Sequence, residues 1–189
     1  MYKTIVKPTL VLTVICVVVS GLLALTYNLT GVGEASTGIA QDKLDEYAET
    51  VLPSASFKQT DLSAETVVDG VTLLGVYQDE RGNGCALNLS AKGYYGENSL
   101  NLFIAFDNNG AIAGIYPIST QETPGLGSKA TEADYLQQYI GKSEPVTVSK
   151  DGSGDIDAIS GATVSSESLG NAVNAAFTFY AEIKGGLQA

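Results

Sequence analysis

Histidine and tryptophan are absent from this 189-residue chain, cysteine occurs twice and methionine once. Without histidine there is no Ser-His-Asp or Cys-His nucleophile system and no imidazole general base. Two cysteines far apart in sequence, Cys16 and Cys85, exclude a Cys/His zinc site, a CxxCH haem attachment and an iron–sulfur cluster held by this chain alone. Any redox role must therefore use an imported organic cofactor. Positive charge is scarce too, with ten basic against 21 acidic residues. Such a surface is repelled by nucleic acid and by anionic lipid, so neither is an expected partner of it, and the acidity itself reads as a solubility feature.

Charge is missing altogether between Lys7 and Glu34, and Pro8 to Leu29 is mostly Val, Leu, Ile, Ala and Thr. That run is long enough for the ~20 residues a bilayer needs. A signal peptide shares its parts, but the run is long and no small-x-small cleavage site follows, so a retained single-pass anchor over residues 1–30 is expected. Lys3 and Lys7 precede the span and Glu34, Asp42, Asp45, Glu46 and Glu49 follow it. The N-terminus is therefore expected in the cytoplasm, with a linker over 31–38 and an extracytoplasmic domain over 39–189. Beyond the two N-terminal lysines, eight basic residues stand against 21 acidic ones, a net charge of −13 on the exported part.

Within that domain, Leu44, Tyr47, Ala48, Val51 and Leu52 have helical spacing, with Pro53 as the stop. Val71 to Gln78, Cys85 to Ala91, Leu100 to Phe106 and Ala111 to Ile118 are strand-like runs broken by Arg81-Gly82-Asn83-Gly84 and Asp107-Asn108-Asn109-Gly110. Together they predict an α+β domain, an antiparallel sheet flanked by helices. Ser54 to Gly70 is ambiguous. A short helix is expected over Thr131 to Tyr139, ended by Gly141, and an edge strand over Pro145 to Ser149. Cys85, inside a strand run, reads as a small buried hydrophobe. The acidic run from Asp151 to Asp157 lacks the closing Glu of a twelve-residue calcium loop, and no metal site is expected.

The stretch that organises the chain is Asp157-Ala158-Ile159-Ser160-Gly161-Ala162-Thr163, running into Val164 and Ser165. From Leu169 the apolar residues Val173, Ala176, Phe177, Tyr180 and Ile183 follow at helical spacing, and Lys184 with Gly185-Gly186 predicts the helix end. The first turn is expected near Val164 to Glu167, where unpaired N–H groups and the positive end of the helix dipole suit a phosphate. The plainer reading is a Ser/Thr helix cap. Two further loops, Lys92-Gly93-Tyr94-Tyr95-Gly96 and Gln121-Glu122-Thr123-Pro124-Gly125-Leu126-Gly127, read either as ordinary turns or as a place for a flat ring, with glycines for close approach and Tyr or Leu for an apolar face.

The seven-residue stretch ending at Thr163 resembles the flavinylation motif of the FMN-binding domain family, in which a transferase esterifies the last threonine with the FMN phosphate. Glu122 to Gly127 is similar to a signature shared by the G subunit of the Rnf ion-pumping electron-transport complex and the C subunit of the sodium-pumping NADH:quinone reductase. The Gly93 to Gly96 loop and the short length favour the Rnf version. The resemblance implies FMN on Thr163, with Asp157 as the motif's acidic residue and Ser160, Gly161, Ala162, Val164 and Ser165 around the phosphate. It implies the ring near Gly93, Tyr94, Tyr95 and Gly96 and near Glu122, Thr123, Pro124, Gly125, Leu126 and Gly127. It further implies an electron-carrying subunit of a ferredoxin:NAD translocase in a bacterial or archaeal cytoplasmic membrane, partnered by other membrane subunits and loaded by a flavin transferase. A quinone-reductase subunit, a stand-alone exported flavoprotein and a cofactor-free anchored module are the alternatives.

Overall fold

The computed structural model describes residues 9–22, 38–60 and 67–187. The chain divides into two units, Met1–Thr37 and Gly38–Ala189. In the first, residues 9–22 form a helix (α1) whose side chains, among them Leu10, Val14, Val17 and Leu22, are all exposed. Among the described residues no helix is long and apolar enough to cross a membrane. The remainder of the expected anchor and linker residues 31–37 lie outside the described residues.

The second unit is built on one antiparallel sheet. Its strands are β1 (Phe57–Thr60), β2 (Val67–Val68), β3 (Val71–Asp79), β4 (Gly84–Gly93), β5 (Gly96–Asp107) and β6 (Ile112–Thr120). They run in the order β1-β3-β4-β5-β6, with β2 also pairing β3. The four longer strands are those expected from their apolar runs. β1 and β2 come from the ambiguous stretch, where Lys58, Gln59 and Thr60 hide the pattern and pairing with Tyr77 and Val76 supplies it.

Period-two alternation sends the two faces of the central strands into two cores. Cys85, Leu87, Leu89 and Ala91 of β4 and Leu100, Leu102, Ile104 and Phe106 of β5 pack with the C-terminal helix α4 (Thr163–Leu187). Ala86, Phe103 and Ala105 face the other way, with helix α2 (Gln41–Val51) and its Leu44, Tyr47, Ala48 and Val51. Each fully buried Leu or Phe contributes about 1.5–3 kcal/mol. Burial also pushes the Cys85 thiol up to about 12, so this cysteine is an unreactive core residue, as its strand position suggests.

Three local expectations change. The helix expected over 131–139 is broken into a 3-10 turn (Gly127–Thr131), a four-residue helix α3 (Ala133–Leu136) and a second 3-10 turn (Gln137–Tyr139), because Glu132 is extended at φ −77°, ψ 146°. The edge strand over 145–149 shrinks to β7 (Val148–Ser149), which pairs in parallel with β8 (Ile156–Asp157). The Asn174 side chain explains this: it accepts from the Val146 N–H at 2.8 Å and donates to its carbonyl at 2.9 Å, replacing a ladder. Finally, α4 begins at Thr163, ahead of the expected turn, and continues through Gly185-Gly186 to Leu187. Two glycines cost a helix only about 1 kcal/mol each, too little to stop one already docked along the sheet.

The β3–β4 turn carries a testable electrostatic feature. Asp79 is buried, accepting from Ser56 N–H at 2.7 Å and from Asn83 N–H and Nδ2 at 2.9 and 2.8 Å. Burial alone would push its carboxyl up, but the Ser56, Asn83 and Arg81 hydrogen bonds outweigh it and hold the group below the usual aspartate range. As pH falls, the unfolded chain takes up this proton first, so the stabilisation is complete at neutral pH and is lost in acid. Asp79→Asn is expected to lower stability by about 1–3 kcal/mol at pH 7, with the difference from the native chain shrinking towards pH 3, as read by urea unfolding at both pH values.

Candidate functional site

The hairpin tip between β4 and β5, the loop after β6 and the turn before α4 meet at one end of the sheet. They enclose a cleft of about 640 Å³, lined on these segments by Tyr94, Tyr95, Glu122, Thr123, Leu126, Gly127, Ala158, Ser160, Gly161, Ala162, Thr163, Val164 and Ser165, with Lys150 on one side. A volume of this size suits a drug- or cofactor-sized molecule.

The brace that joins the three segments is Glu122, which is buried. Its Oε2 accepts from the Ser165 hydroxyl at 2.6 Å and its Oε1 from the Tyr94 N–H at 2.7 Å, tying α4 to the hairpin. Two glycines make room for it. A Cβ on Gly93 would lie 2.3 Å from Glu122 Oε1, and one on Gly127 would lie 2.5 Å from Oε2. The hairpin is further closed by Ser99, whose Oγ accepts from Gly93 N–H at 2.8 Å and donates to the Gly96 carbonyl at 2.7 Å. Tyr95 and Thr123 join their hydroxyls at 3.1 Å across the cleft rim.

On the opposite wall the chain turns at Gly161, with φ +83°, and the Ala162 N–H closes the turn on the Ile159 carbonyl at 2.9 Å. A left-handed residue here is what a glycine permits. Ala162 is therefore the residue ahead of the helix, its carbonyl accepting from Ser166 N–H at 3.0 Å. Alanine has no side-chain oxygen, so the hydroxyl cap that the plainer sequence reading expected is not there. Thr163 is the first helical residue instead. The N–H groups of Thr163, Val164 and Ser165 have no intrahelical partner, and these three residues line the cleft at the positive end of the dipole.

The hydroxyls around this turn differ in availability. Ser165 is held by Glu122, Ser166 accepts from Ile159 N–H at 3.0 Å and donates to the Ala162 carbonyl, and Ser168 donates to the Val164 carbonyl at 2.8 Å. Ser160 and Thr163 have no hydrogen-bond partner among the described residues, and both line the cleft. The rim is apolar: of seven large apolar side chains exposed in the described part of the second unit, Tyr94 (61 %), Tyr95 (62 %), Leu126 (44 %) and Val164 (51 %) border this cleft. A free hydroxyl beside unpaired N–H groups, with a flat apolar rim nearby, fits a phosphate joined to an aromatic ring.

The segments that form the cleft fall within a stretch that matches a known family. The family model described as FMN-binding domain matches residues 93–178, from the hairpin tip to the middle of α4. The G subunit of an ion-translocating oxidoreductase complex from Methanosarcina acetivorans is 30 % identical over 188 residues, covering 97 % of this chain and 98 % of its own. This chain belongs to the family of G subunits of ion-translocating oxidoreductase complexes. A further member, the G subunit of the Na(+)-translocating ferredoxin:NAD(+) oxidoreductase complex of Acetobacterium woodii, is 33 % identical over 198 residues, 95 % of this chain and 93 % of its own. The Vibrio cholerae member is 30 % identical over 190 residues, 92 % and 88 % of the two chains.

Within the family's domain, the structure separates the sequence-predicted residues. Twelve of them line the cleft. Gly93, Gly96, Pro124 and Gly125 lie outside its lining and shape the loops, and Asp157 sits exposed on β8 with its N–H donating to Gln138 Oε1 at 2.8 Å. Lys150 was not foreseen: it lies between β7 and the motif, and only the return of the chain along β8 brings it to the cleft.

Proposed function

We propose that this chain is the electron-carrying subunit of a membrane-bound, ion-translocating ferredoxin:NAD oxidoreductase, holding FMN through a phosphoester to Thr163. The observation that carries the reading is the pairing of an unpartnered Thr163 hydroxyl with an uncapped helix start in a cleft of cofactor size. The names of relatives spanning nearly the whole chain support the complex, and the FMN-binding domain match supports the cofactor.

Each part of the cleft has a task in this reading. The α4 N-terminus and Thr163 hold the phosphate, while Tyr94, Tyr95, Leu126 and Val164 cover the flat ring and limit its exposure to water. Glu122 keeps the two walls at a fixed separation. Bound FMN supplies the one- and two-electron chemistry that no side chain here provides. Ester formation in water is uphill, so loading requires a flavin transferase working from an FMN group activated as a phosphoanhydride: the P–O–P bond breaks as the Thr163 ester forms, the other phosphate half leaves, and the hydroxyl proton goes to solvent. The covalent bond then retains the cofactor outside the cytoplasm. Residues 1–30 anchor the protein with the lysines inside, and the exposed apolar side chains of α1 suit lipid or the helices of neighbouring subunits.

Intact mass and in-gel fluorescence of the denatured full-length chain, produced with a flavin transferase, test the assignment. One added FMN less one water, localised to the peptide containing Thr163, is expected. An unmodified mass, with no flavin in the membrane fraction, would exclude it.

A further inference from the structure

We infer that Lys150 is the phosphate-selective residue of the cleft, the side chain that makes this site prefer a phosphorylated flavin over the same ring without phosphate. The inference rests on the proposed FMN site and extends it to a residue outside the motif. Among the described residues Lys150 is the only basic one in the cleft lining, in a chain whose acidic residues outnumber its basic ones two to one.

Of the acids near it in sequence, Asp151 and Asp155 are engaged elsewhere, and Asp157 is exposed on β8. Asp151 Oδ1 accepts from the Ser153 hydroxyl at 2.6 Å and from its N–H at 3.2 Å. Asp155 Oδ2 accepts from the Thr147 N–H at 2.9 Å and its hydroxyl at 2.8 Å. These hydrogen bonds hold both carboxyls below their usual range, so both stay ionised yet turned into their own loop. Lys150 forms no ion pair with any described residue; the two ion pairs among the described residues are Lys43–Glu46 and Lys92–Glu97. Thr163, Val164 and Ser165 at the α4 N-terminus line the same cleft. A lysine and a helix start lining one space are complementary to a flavin phosphate. The β7–β8 pairing fixes the lysine's place, because Ser149 Oγ accepts from Gly154 N–H at 2.8 Å and closes the 150–153 loop.

The test uses full-length chain carrying Thr163→Val, which cannot couple flavin, with equilibrium dialysis against FMN and against riboflavin. With Lys150 present, FMN is expected to bind more tightly than riboflavin. Lys150→Gln is expected to weaken FMN about two- to fivefold and leave riboflavin unchanged, the range for an exposed charge contact. Lys150→Arg should restore most of the FMN affinity, and 0.5 M salt should erase the preference. Equal affinities for the two flavins with Lys150 in place, retention of neither, or an equal loss of both in Lys150→Gln would overturn the inference. These results are independent of whether native chain couples FMN at Thr163, so failure of the covalent assignment is seen separately by mass.

Discussion

Thr163→Val should abolish covalent flavin completely, leaving the denatured full-length chain at its unmodified mass with no fluorescent band. Valine keeps the β-branched shape of threonine and removes only the hydroxyl, so the helix start is not otherwise altered. The Thr163 hydroxyl makes no hydrogen bond within the described protein, and the unfolding free energies of the apo forms should therefore agree within about 0.5 kcal/mol. Thr163→Ser restores a hydroxyl at the same place and should regain the adduct. Ser160→Ala removes the other free hydroxyl and should keep it. An adduct that persists in Thr163→Val and disappears in Ser160→Ala would move the attachment point to Ser160. The remaining hydroxyls of the turn, on Ser165 and Ser166, are engaged in the fold and are poor acceptors for that reason.

Glu122→Ala carries the second large effect, on the cleft as a whole. Truncation leaves the Ser165 hydroxyl and the Tyr94 N–H without their acceptor at a buried point. Each unsatisfied group costs about 1–3 kcal/mol, so a combined loss of about 2–6 kcal/mol in urea unfolding is expected, together with slow or incomplete flavin loading. Glu122→Gln separates shape from charge. Its amide oxygen can still accept from the Tyr94 N–H while its amide nitrogen donates to Ser165 Oγ, whose hydroxyl can turn to accept. That variant should lose less than half as much stability and load flavin. If alanine and glutamine behave alike and both leave stability unchanged, Glu122 is not the brace described above.

Glu122 also illustrates where sequence reading stops. Its place in the Glu122 to Gly127 signature marks it as a cofactor-side residue, and it does line the cleft. Both of its oxygens are nevertheless taken by protein donors, and Gly93 and Gly127 are small because they press against this carboxylate. Close approach to a ring is the natural expectation for glycines in such loops; here they approach a neighbouring side chain. No spacing rule could disclose that, since Tyr94, Glu122 and Ser165 are far apart in the chain. The same holds for Ala162. A Ser-Gly-Ala-Thr string suggests a hydroxyl cap, and only the positive φ of Gly161 moves the helix start so that alanine takes the cap position and Thr163 is left free.

The sequence by itself determined what depends on neighbours along the chain. The apolar alternation of β3 to β6, the helical stripes of α2 and α4, and the hydroxyl-bearing turn ahead of a long helix are local patterns, legible because backbone geometry imposes periods of 2 and 3.6. Tertiary structure decided what depends on separate segments meeting. It drew the hairpin tip, the post-β6 loop and the α4 start into one cleft, made Glu122 the brace between its walls, and carried Lys150 to its edge through the β7–β8 pairing. It also overrode weak local signals, letting α4 run through Gly185-Gly186 and letting Asn174 cut short the strand at Val146. In each case a tertiary interaction outweighed a local preference of about 1 kcal/mol.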